Sequence, residues 1–247
     1  MMKIRDHVMQ TDRDIRLLGR VAGFLYLVII ACGIGSEVFI RGSLYDDVDI
    51  SVTAANILAK SALFKTGFLA DSIMLLCDVA IAIVFYRLFR QVDRTLALSA
   101  MVFRLVQAVI IGMSLLFYYA TYLLLTSNAQ PDGQTYTMLS LLIDMHAYGY
   151  DLGLIFFGIS NIALGVLVIR SGFCPRPLGH GLIIAAVIYV IGSYTRFLAV
   201  EYHTFVEPAY LIPLLAELAF CLWLLFGKIA QDQQSGQMMK KVIAPDE

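Results

Sequence analysis

Two acidic residues stand inside one long apolar stretch of this chain, where a charge must be explained. Asp71 and Asp78 are seven residues apart, so on a helix they share a face about 10 Å apart along the axis. A charged side chain at the centre of a membrane helix costs about 2.5–3.5 kcal/mol on insertion scales. Such residues therefore predict a binding, proton-handling or structural role.

A polar stripe runs through the next apolar stretch. Its members recur at steps of three and four residues, which places them on one helical face. They are Arg104, Gln107, Ile111, Ser114, Tyr118 and Thr121. A buried arginine needs a carboxylate partner, because an unpaired charge costs far more than a pair. We expect Arg104 to pair with Asp78, with Glu217, or with both.

Depth along the predicted helices divides the polar residues into two groups. The inner group, near mid-depth, comprises Asp78, Arg104, Gln107 and Glu217. The outer group comprises Glu37, Asp71, Tyr148, Asp151 and Arg196, with His146 above it. Two arginines cannot neutralise five carboxylates, so some acids must be hydrated, bind a cation or hold a proton. This imbalance favours a wet cavity that opens to the outer side.

The stretch HAYGYDLGLIFFG, residues 146–158, places aromatic residues at the predicted outer surface. His146, Tyr148 and Tyr150 are the types expected in the aromatic belt of a membrane interface. Asp151 is the exception, since it lies one turn inside, where Asp71, Glu37 and Arg196 are expected to meet it. The complete set of predicted pocket residues is Asp71, Asp78, Arg104, Gln107, Tyr118, Tyr148, Asp151, Arg196 and Glu217.

The elements that must position these residues follow from composition. The chain has 247 residues, of which 60% are hydrophobic and only 15% charged. About 20 apolar residues suffice for a helix to cross a bilayer. The pattern predicts an all-α polytopic membrane protein, a bundle of six transmembrane helices. Their approximate bounds are 18–40, 67–87, 97–126, 147–169, 178–200 and 208–228.

Charge predicts which side each loop occupies. Most of the 18 basic residues lie before the first predicted span, in the second and fourth loops, or after the sixth span. The alternate loops carry acidic residues instead. By the positive-inside rule, both termini are expected in the cytoplasm.

The predicted domain organisation has three parts. Residues 1–17 form a cytoplasmic N-terminal segment, 18–228 the six-helix transmembrane domain, and 229–247 a flexible cytoplasmic tail. Between the first two spans, residues 51–65 have the spacing of a short interfacial helix. Residues 134–145 are expected to run into the fourth span and lengthen it.

Several classes of function find no support in the sequence. A net charge of −1 gives no attraction to nucleic acid. No GxSxG, HExxH or glycine-rich phosphate motif occurs, and the four cysteines form no CxxC pair. At most two histidines can reach one outer site, so we expect no metal and no cofactor. Gly149 and Gly153 are interpreted as a helix-packing face.

The segment HAYGYDLGLIFFGISNIALGVLVIRSGFCPRPLG, residues 146–179, resembles the bacterial membrane family known as domain of unknown function 4386. Three further stretches carry the resemblance: RLLGRVAGFLYLVIIACGI, YRLFRQVDRTLALSAMVFRLVQAV and LAELAFCLWLLFGK. It extends over about residues 14–230. It implies a six-span bundle in the bacterial inner membrane, and it provides no catalytic residue to transfer.

Three classes of function fit these observations. The first is a membrane protein whose polar pocket binds a lipid-like or amphipathic small molecule, with acid–base catalysis by Asp71, Asp151 or Glu217 as an extension. The second is a proton-coupled transporter that uses the titratable residues at mid-depth. The third is a structural or regulatory subunit whose buried charges only hold helices in register. Membrane lipids are the expected partners, and an oligomer is compatible with all three.

Overall fold

The fold is entirely helical in the part of the chain that the structure describes. The computed structural model describes residues 2–127 and 131–227, and no strand occurs among them. This confirms the predicted all-α class. The predicted tail at 229–247 lies outside the described residues.

The chain forms long helices joined by short helical connections. The long helices are Met2–Ile34, Ser61–Phe89, Arg94–Ser127, Gly133–Ser171, Arg176–Leu198 and Leu211–Phe226. The first continues as a π-helix, Gly35–Arg41, and a short turn, Gly42–Leu44. The remaining pieces are Ile50–Ala59, Val200–Tyr202, His203–Val206 and Glu207–Tyr210.

Six of these helices are long and apolar enough to cross a membrane, as the sequence predicted. The fourth is the longest, with 39 residues, because residues 134–145 join it as expected. It begins where Asp132 accepts a hydrogen bond from the backbone of Thr135. It ends at Gly172, whose φ of 72° favours glycine.

The predicted interfacial helix at 51–65 is interrupted in the structure. Ile50–Ala59 forms a separate helix, and Lys60 has a non-helical backbone that ends it. Residues from Ser61 onward belong to the second long helix instead. Spacing alone did not reveal this break, because residues on both sides of Lys60 are good helix formers.

Successive long helices pack side by side, and the sixth also packs against the first. The six therefore form a closed ring in chain order. We call the end where the first helix begins and the sixth ends the terminal end, and the opposite end the distal end.

Glycines bring several neighbouring helices into close contact. A Cβ added at Gly149 would lie 2.5 Å from the Cβ of Ser114, and one at Gly153 would collide with Ile111. The third and fourth helices therefore need both glycines. This confirms the predicted packing face, since only residues without a side chain allow such an approach.

Apolar side chains fill the ring in two clusters. One lies toward the terminal end and includes Tyr26, Phe85, Phe89 and Phe220. The other lies toward the distal end and comprises Ile40, Leu44, Ala54, Ile57, Phe64, Leu115, Tyr118, Leu125 and Leu139. Other large apolar side chains, such as Phe24 and Leu76, point outward, as expected for a surface in contact with hydrocarbon.

Candidate functional site

An ion pair between the second and third helices lies at mid-depth in the bundle. Arg104 Nη2 lies 2.7 Å from Asp78 Oδ1, and Arg104 Nε donates to the same oxygen at 3.0 Å. Arg104 is only 1% exposed. Its guanidinium carbon lies 4.8 Å from the ring centre of Phe157 and 5.5 Å from that of Tyr26. The aromatic rings and the carboxylate together replace the hydration of the charge.

Gln107 completes the coordination of Asp78. It lies one turn beyond Arg104 on the predicted polar stripe, and its Nε2 donates to Asp78 Oδ2 at 3.2 Å. Both Asp78 oxygens are therefore engaged. The Oε1 atom of Gln107 is buried and accepts no hydrogen bond from any described residue.

Glu217, from the sixth helix, has a different environment. It is 6% exposed, and its Oε1 accepts a hydrogen bond from Asn161 Nδ2 at 3.1 Å. Tyr189 lines the same cavity as this carboxylate. Among the described residues, no basic side chain lies within ion-pair distance of Glu217. Arg104 thus forms its ion pair with Asp78 and not with Glu217.

A cavity of about 310 Å³ lies inside the ring, and all six long helices or their extensions line it. Its polar lining comprises Glu37, Asp78, Gln107, Tyr150, Tyr189, Tyr210 and Glu217. The rest is apolar, with Ile34, Met74, Leu154 and Leu214 among the contributors. Polar groups near mid-depth and an apolar wall give this cavity an amphipathic interior.

A second buried cluster, at the distal end, centres on an arginine that the sequence analysis did not consider. Arg41 Nη1 lies 2.7 Å from Asp71 Oδ2, and Arg41 Nε lies 2.7 Å from Glu37 Oε2. Arg41 Nη1 also donates to Ser36 Oγ at 3.1 Å. The π-helical turn makes this possible, because its wider spacing brings residues four and five positions apart onto one face.

Arg41 changes the expected charge balance. Three arginines rather than two are buried or half-buried in the bundle, and Arg41 neutralises Asp71. The side chain of Glu37 is 70% exposed, so it is not one of the buried carboxylates. The signal for Arg41 was present in the sequence, since it follows Glu37 by four residues, the spacing of a helical ion pair.

The third pair joins the fourth and fifth helices. Arg196 Nε lies 3.2 Å from Asp151 Oδ2, and Ser193 Oγ donates to Asp151 Oδ1 at 3.4 Å. The Arg196 guanidinium carbon lies 5.4 Å from the ring centre of Tyr148. The expected meeting of Asp151 with Arg196 is confirmed. The expected meeting of these residues with the carboxylates of the first two helices is wrong, because those carboxylates pair with Arg41.

His146 is buried, and its predicted place in an interfacial belt is wrong. Its Nδ1 lies 3.0 Å from the carbonyl oxygen of Ser114, and its ring centre lies 5.3 Å from that of Tyr118. Tyr118 is also buried, and its hydroxyl donates to the carbonyl of Phe64 at 3.0 Å. The fourth helix begins at Gly133, thirteen residues before His146, rather than near residue 147.

The nine predicted pocket residues thus fall in different places. Asp78, Gln107 and Glu217 line the central cavity, and Arg104 lies behind Asp78. Asp71, Tyr118, Tyr148, Asp151 and Arg196 form pairs and contacts outside the cavity lining. Asn161, which donates to Glu217, and the cavity-lining Tyr189 are not in the predicted pocket set. Tyr189 shares a helical face with Ser193 and Arg196 in the sequence, whereas a lone asparagine in an apolar helix gives no periodic signal.

Metal ligands do not converge in the described part of the chain. Across residues 2–127 and 131–227, no three histidine, cysteine or acidic side chains form a group able to hold a metal ion. Arginine and amide groups surround the central carboxylates instead, and these groups do not replace metal ligands of the carboxylate or imidazole type.

Comparison with protein families identifies the group to which this six-helix bundle belongs. Residues 21–227 match the model of a family described as domain of unknown function (DUF4386). The chain belongs to this family. The matched segment includes the first long helix from residue 21 onward, the other five long helices in full, and every candidate site residue named above.

An archaeal protein is similar to part of the chain. An uncharacterized protein of Archaeoglobus fulgidus is 33% identical over 125 residues, which cover 51% of this chain and 64% of that protein. The chain thus matches less than two thirds of the length of this curated relative. No solved structure matches the chain.

Proposed function

We propose that this protein binds a lipid-like or amphipathic small molecule in the central cavity. The observation that carries the proposal is the cavity itself, about 310 Å³ in volume and lined by all six helices. Small-molecule sites commonly have volumes of about 300–1,000 Å³, mostly apolar walls and a few polar groups. The cavity has this character.

The arrangement of the lining supports an amphipathic ligand over a fully polar one. Asp78, Gln107 and Glu217 lie together near mid-depth, where a polar head would find hydrogen-bonding partners. Ile34, Leu154 and other apolar side chains cover the remaining wall and would contact a hydrocarbon body. The lining also reaches Glu37, exposed near the distal end, which suggests entry from that side.

Charge asymmetry in the loops supports an orientation for this entry. Basic residues concentrate at the terminal end, so the positive-inside rule places both termini in the cytoplasm. The distal end would then face the outside of a bacterial inner membrane. A ligand that partitions into the outer leaflet would have the shortest route to the cavity.

A structural role is the second candidate for the arginine pairs. Arg41–Asp71, Arg104–Asp78 and Arg196–Asp151 each join two neighbouring helices. Buried pairs of this kind can fix the register of helices, whatever the cavity binds. Proton-coupled transport remains a third candidate, with Asp78 and Glu217 as its titratable groups.

A substitution that fills the cavity tests ligand binding. Leu214 lines the cavity, whereas the adjacent Leu215 is 58% exposed on the outer surface. In lipid nanodiscs, a medium-chain alcohol carrying a photoreactive diazirine should label cavity peptides saturably. Leu214→Trp should weaken saturable labelling by about tenfold or more, about 1.4 kcal/mol, because the indole occupies the ligand volume.

Leu215→Trp provides the matched control, since it adds the same bulk on the lipid-facing side. It should leave saturable labelling unchanged. Equal labelling of both variants and the wild type would contradict the proposal. So would labelling that never saturates, because that is the behaviour of bulk lipid contact.

A further inference from the structure

Glu217 differs from every other deeply buried carboxylate in the described part of the chain. Asp71, Asp78 and Asp151 each have an arginine within 3.2 Å. Glu217 is also buried, yet no basic side chain among those that the structure describes lies within ion-pair distance of it. A buried ionised carboxylate without a cation is costly, so Glu217 must either hold a proton or be complemented by a positive group.

Two buried amide oxygens around the central carboxylates, those of Gln107 and Asn161, lack a hydrogen-bond donor within the described part of the chain. Gln107 and Asn161 direct their NH₂ groups to the carboxylates of Asp78 and Glu217, which can only accept when ionised. Both amide oxygens must then face elsewhere, and both are buried without a hydrogen-bond partner among the described residues. Gln107 itself lines the cavity.

Aromatic rings form the adjoining wall. The ring centres of Phe157 and Tyr189 lie 5.3 Å apart, and those of Tyr189 and Tyr210 lie 5.8 Å apart. All three rings line the cavity together with Glu217. The faces of aromatic rings attract cations, and ring walls beside an acid are a known arrangement for binding ammonium groups.

From these observations we infer that the cavity selects an amphipathic ligand whose polar end is a protonated amine, with Glu217 as its counter-ion. This inference rests on the proposed function and specifies the ligand class. An ammonium group supplies one positive charge and up to three N–H donors. An anionic head would meet the carboxylates of Asp78 and Glu217, and the neighbouring Arg104 already pairs with Asp78. A neutral hydroxyl would leave an ionised Glu217 without a charge partner.

A matched pair of probes tests the inference. The competitors are a medium-chain primary amine and an alcohol of the same chain length. Each competes with the diazirine-bearing alcohol for labelling of the wild-type protein, in zwitterionic nanodiscs at neutral pH. Concentrations are corrected for partitioning into empty nanodiscs. The amine should compete at concentrations about tenfold or more below those of the alcohol, as expected for a buried charge pair.

Glu217→Gln should abolish this preference, because the glutamine keeps the size of the side chain and an acceptor for Asn161 but carries no charge. Tyr189→Phe is the second variant, since it keeps the ring and removes only the hydroxyl. It should retain the preference for the amine. Size-exclusion profiles and alcohol labelling identify any variant that fails to fold.

The outcomes separate the two proposals. Saturable labelling with equal competition by amine and alcohol would overturn the inference and leave the proposed function intact. A preference for the amine that survives Glu217→Gln would also overturn it. Absence of saturable labelling by either probe would instead contradict the proposed function.

Discussion

Asp78 and Glu217 lie in the same layer of the bundle and line the same cavity, but they are neutralised differently. Asp78 contacts Arg104 at 2.7 Å and has both oxygens engaged. Glu217 receives a hydrogen bond from Asn161, which carries no charge. Asp78 therefore has a counter-ion within the protein, whereas Glu217 has no ion-pair partner among the described residues.

We therefore expect Asp78 to contribute mainly to stability and Glu217 mainly to ligand selection. Removing one partner of a buried ion pair leaves an uncompensated charge, so Asp78 is tied to the stability of the bundle. Neutralising Glu217 leaves no arginine behind. It should therefore affect ligand selection more than folding.

The largest expected effect comes from Asp78→Asn. It should lower the free energy of unfolding by about 3–5 kcal/mol, because Arg104 stays buried without a carboxylate. Unfolding by sodium dodecyl sulfate in mixed micelles, followed by Trp223 fluorescence, measures this change. Glu217→Gln is the matched control and should cost less than about 1 kcal/mol. Equal losses for both variants would remove the distinction between these carboxylates.

The distal cluster allows a finer version of the same comparison. Asp71→Asn should lower the free energy of unfolding by about 1.5–3 kcal/mol, which is the range for a hydrogen bond to a charged group. The loss should be smaller than for Asp78→Asn, since Arg41 keeps Glu37 as a partner. Glu37→Gln, at the exposed partner, should cost less than about 1 kcal/mol in the same assay. A larger loss for Glu37→Gln would show that exposure does not govern the contribution of each carboxylate.

The smallest effect concerns an exposed carboxylate outside the bundle. The Ser51 hydroxyl and backbone N–H donate to Asp49 and lower the pKa of its carboxyl, which caps the helix Ile50–Ala59. Because the folded pKa lies below the unfolded value, the stabilisation is present above about pH 4 and is lost as pH falls through the folded pKa. Hydrogen-exchange protection of this helix should fall in that range.

Asp49→Asn tests the assignment to this carboxylate. Asparagine is also a good helix cap, but it does not titrate. Protection in the variant should therefore lose most of its dependence on pH below about 4. An unchanged pH profile would mean that another group controls the unfolding of this helix.

The helical architecture was predictable because membrane helices depend on local composition. Long apolar stretches predicted all six helices, and the structure mainly lengthens them. The fourth helix gained residues 134–145 as expected, whereas the break at Lys60 was not foreseen. Apolar periodicity indicates which residues face inward, but it does not locate a single non-helical residue between two amphipathic segments.

The central site was predictable in part, for a similar reason. The polar stripe of the third helix placed Arg104 and Gln107 on one face, and both contact Asp78. Arg41 was missed because it lies at the end of an apolar stretch, where an arginine commonly faces water. Only the π-helical turn and the packing of the second helix direct it inward to Asp71.

The sequence by itself determined the number of helices, their inward faces and the need of Arg104 for a carboxylate, because burial and periodicity act within one helix. Only the tertiary structure decided which carboxylate each arginine meets. Pairing depends on how neighbouring helices are placed along one another. Each residue of shift in register moves a side chain by about 1.5 Å along the helix axis and so changes which partner it can reach. In the folded protein Arg104 pairs with Asp78, and Glu217 lines the cavity without an ion-pair partner among the described residues.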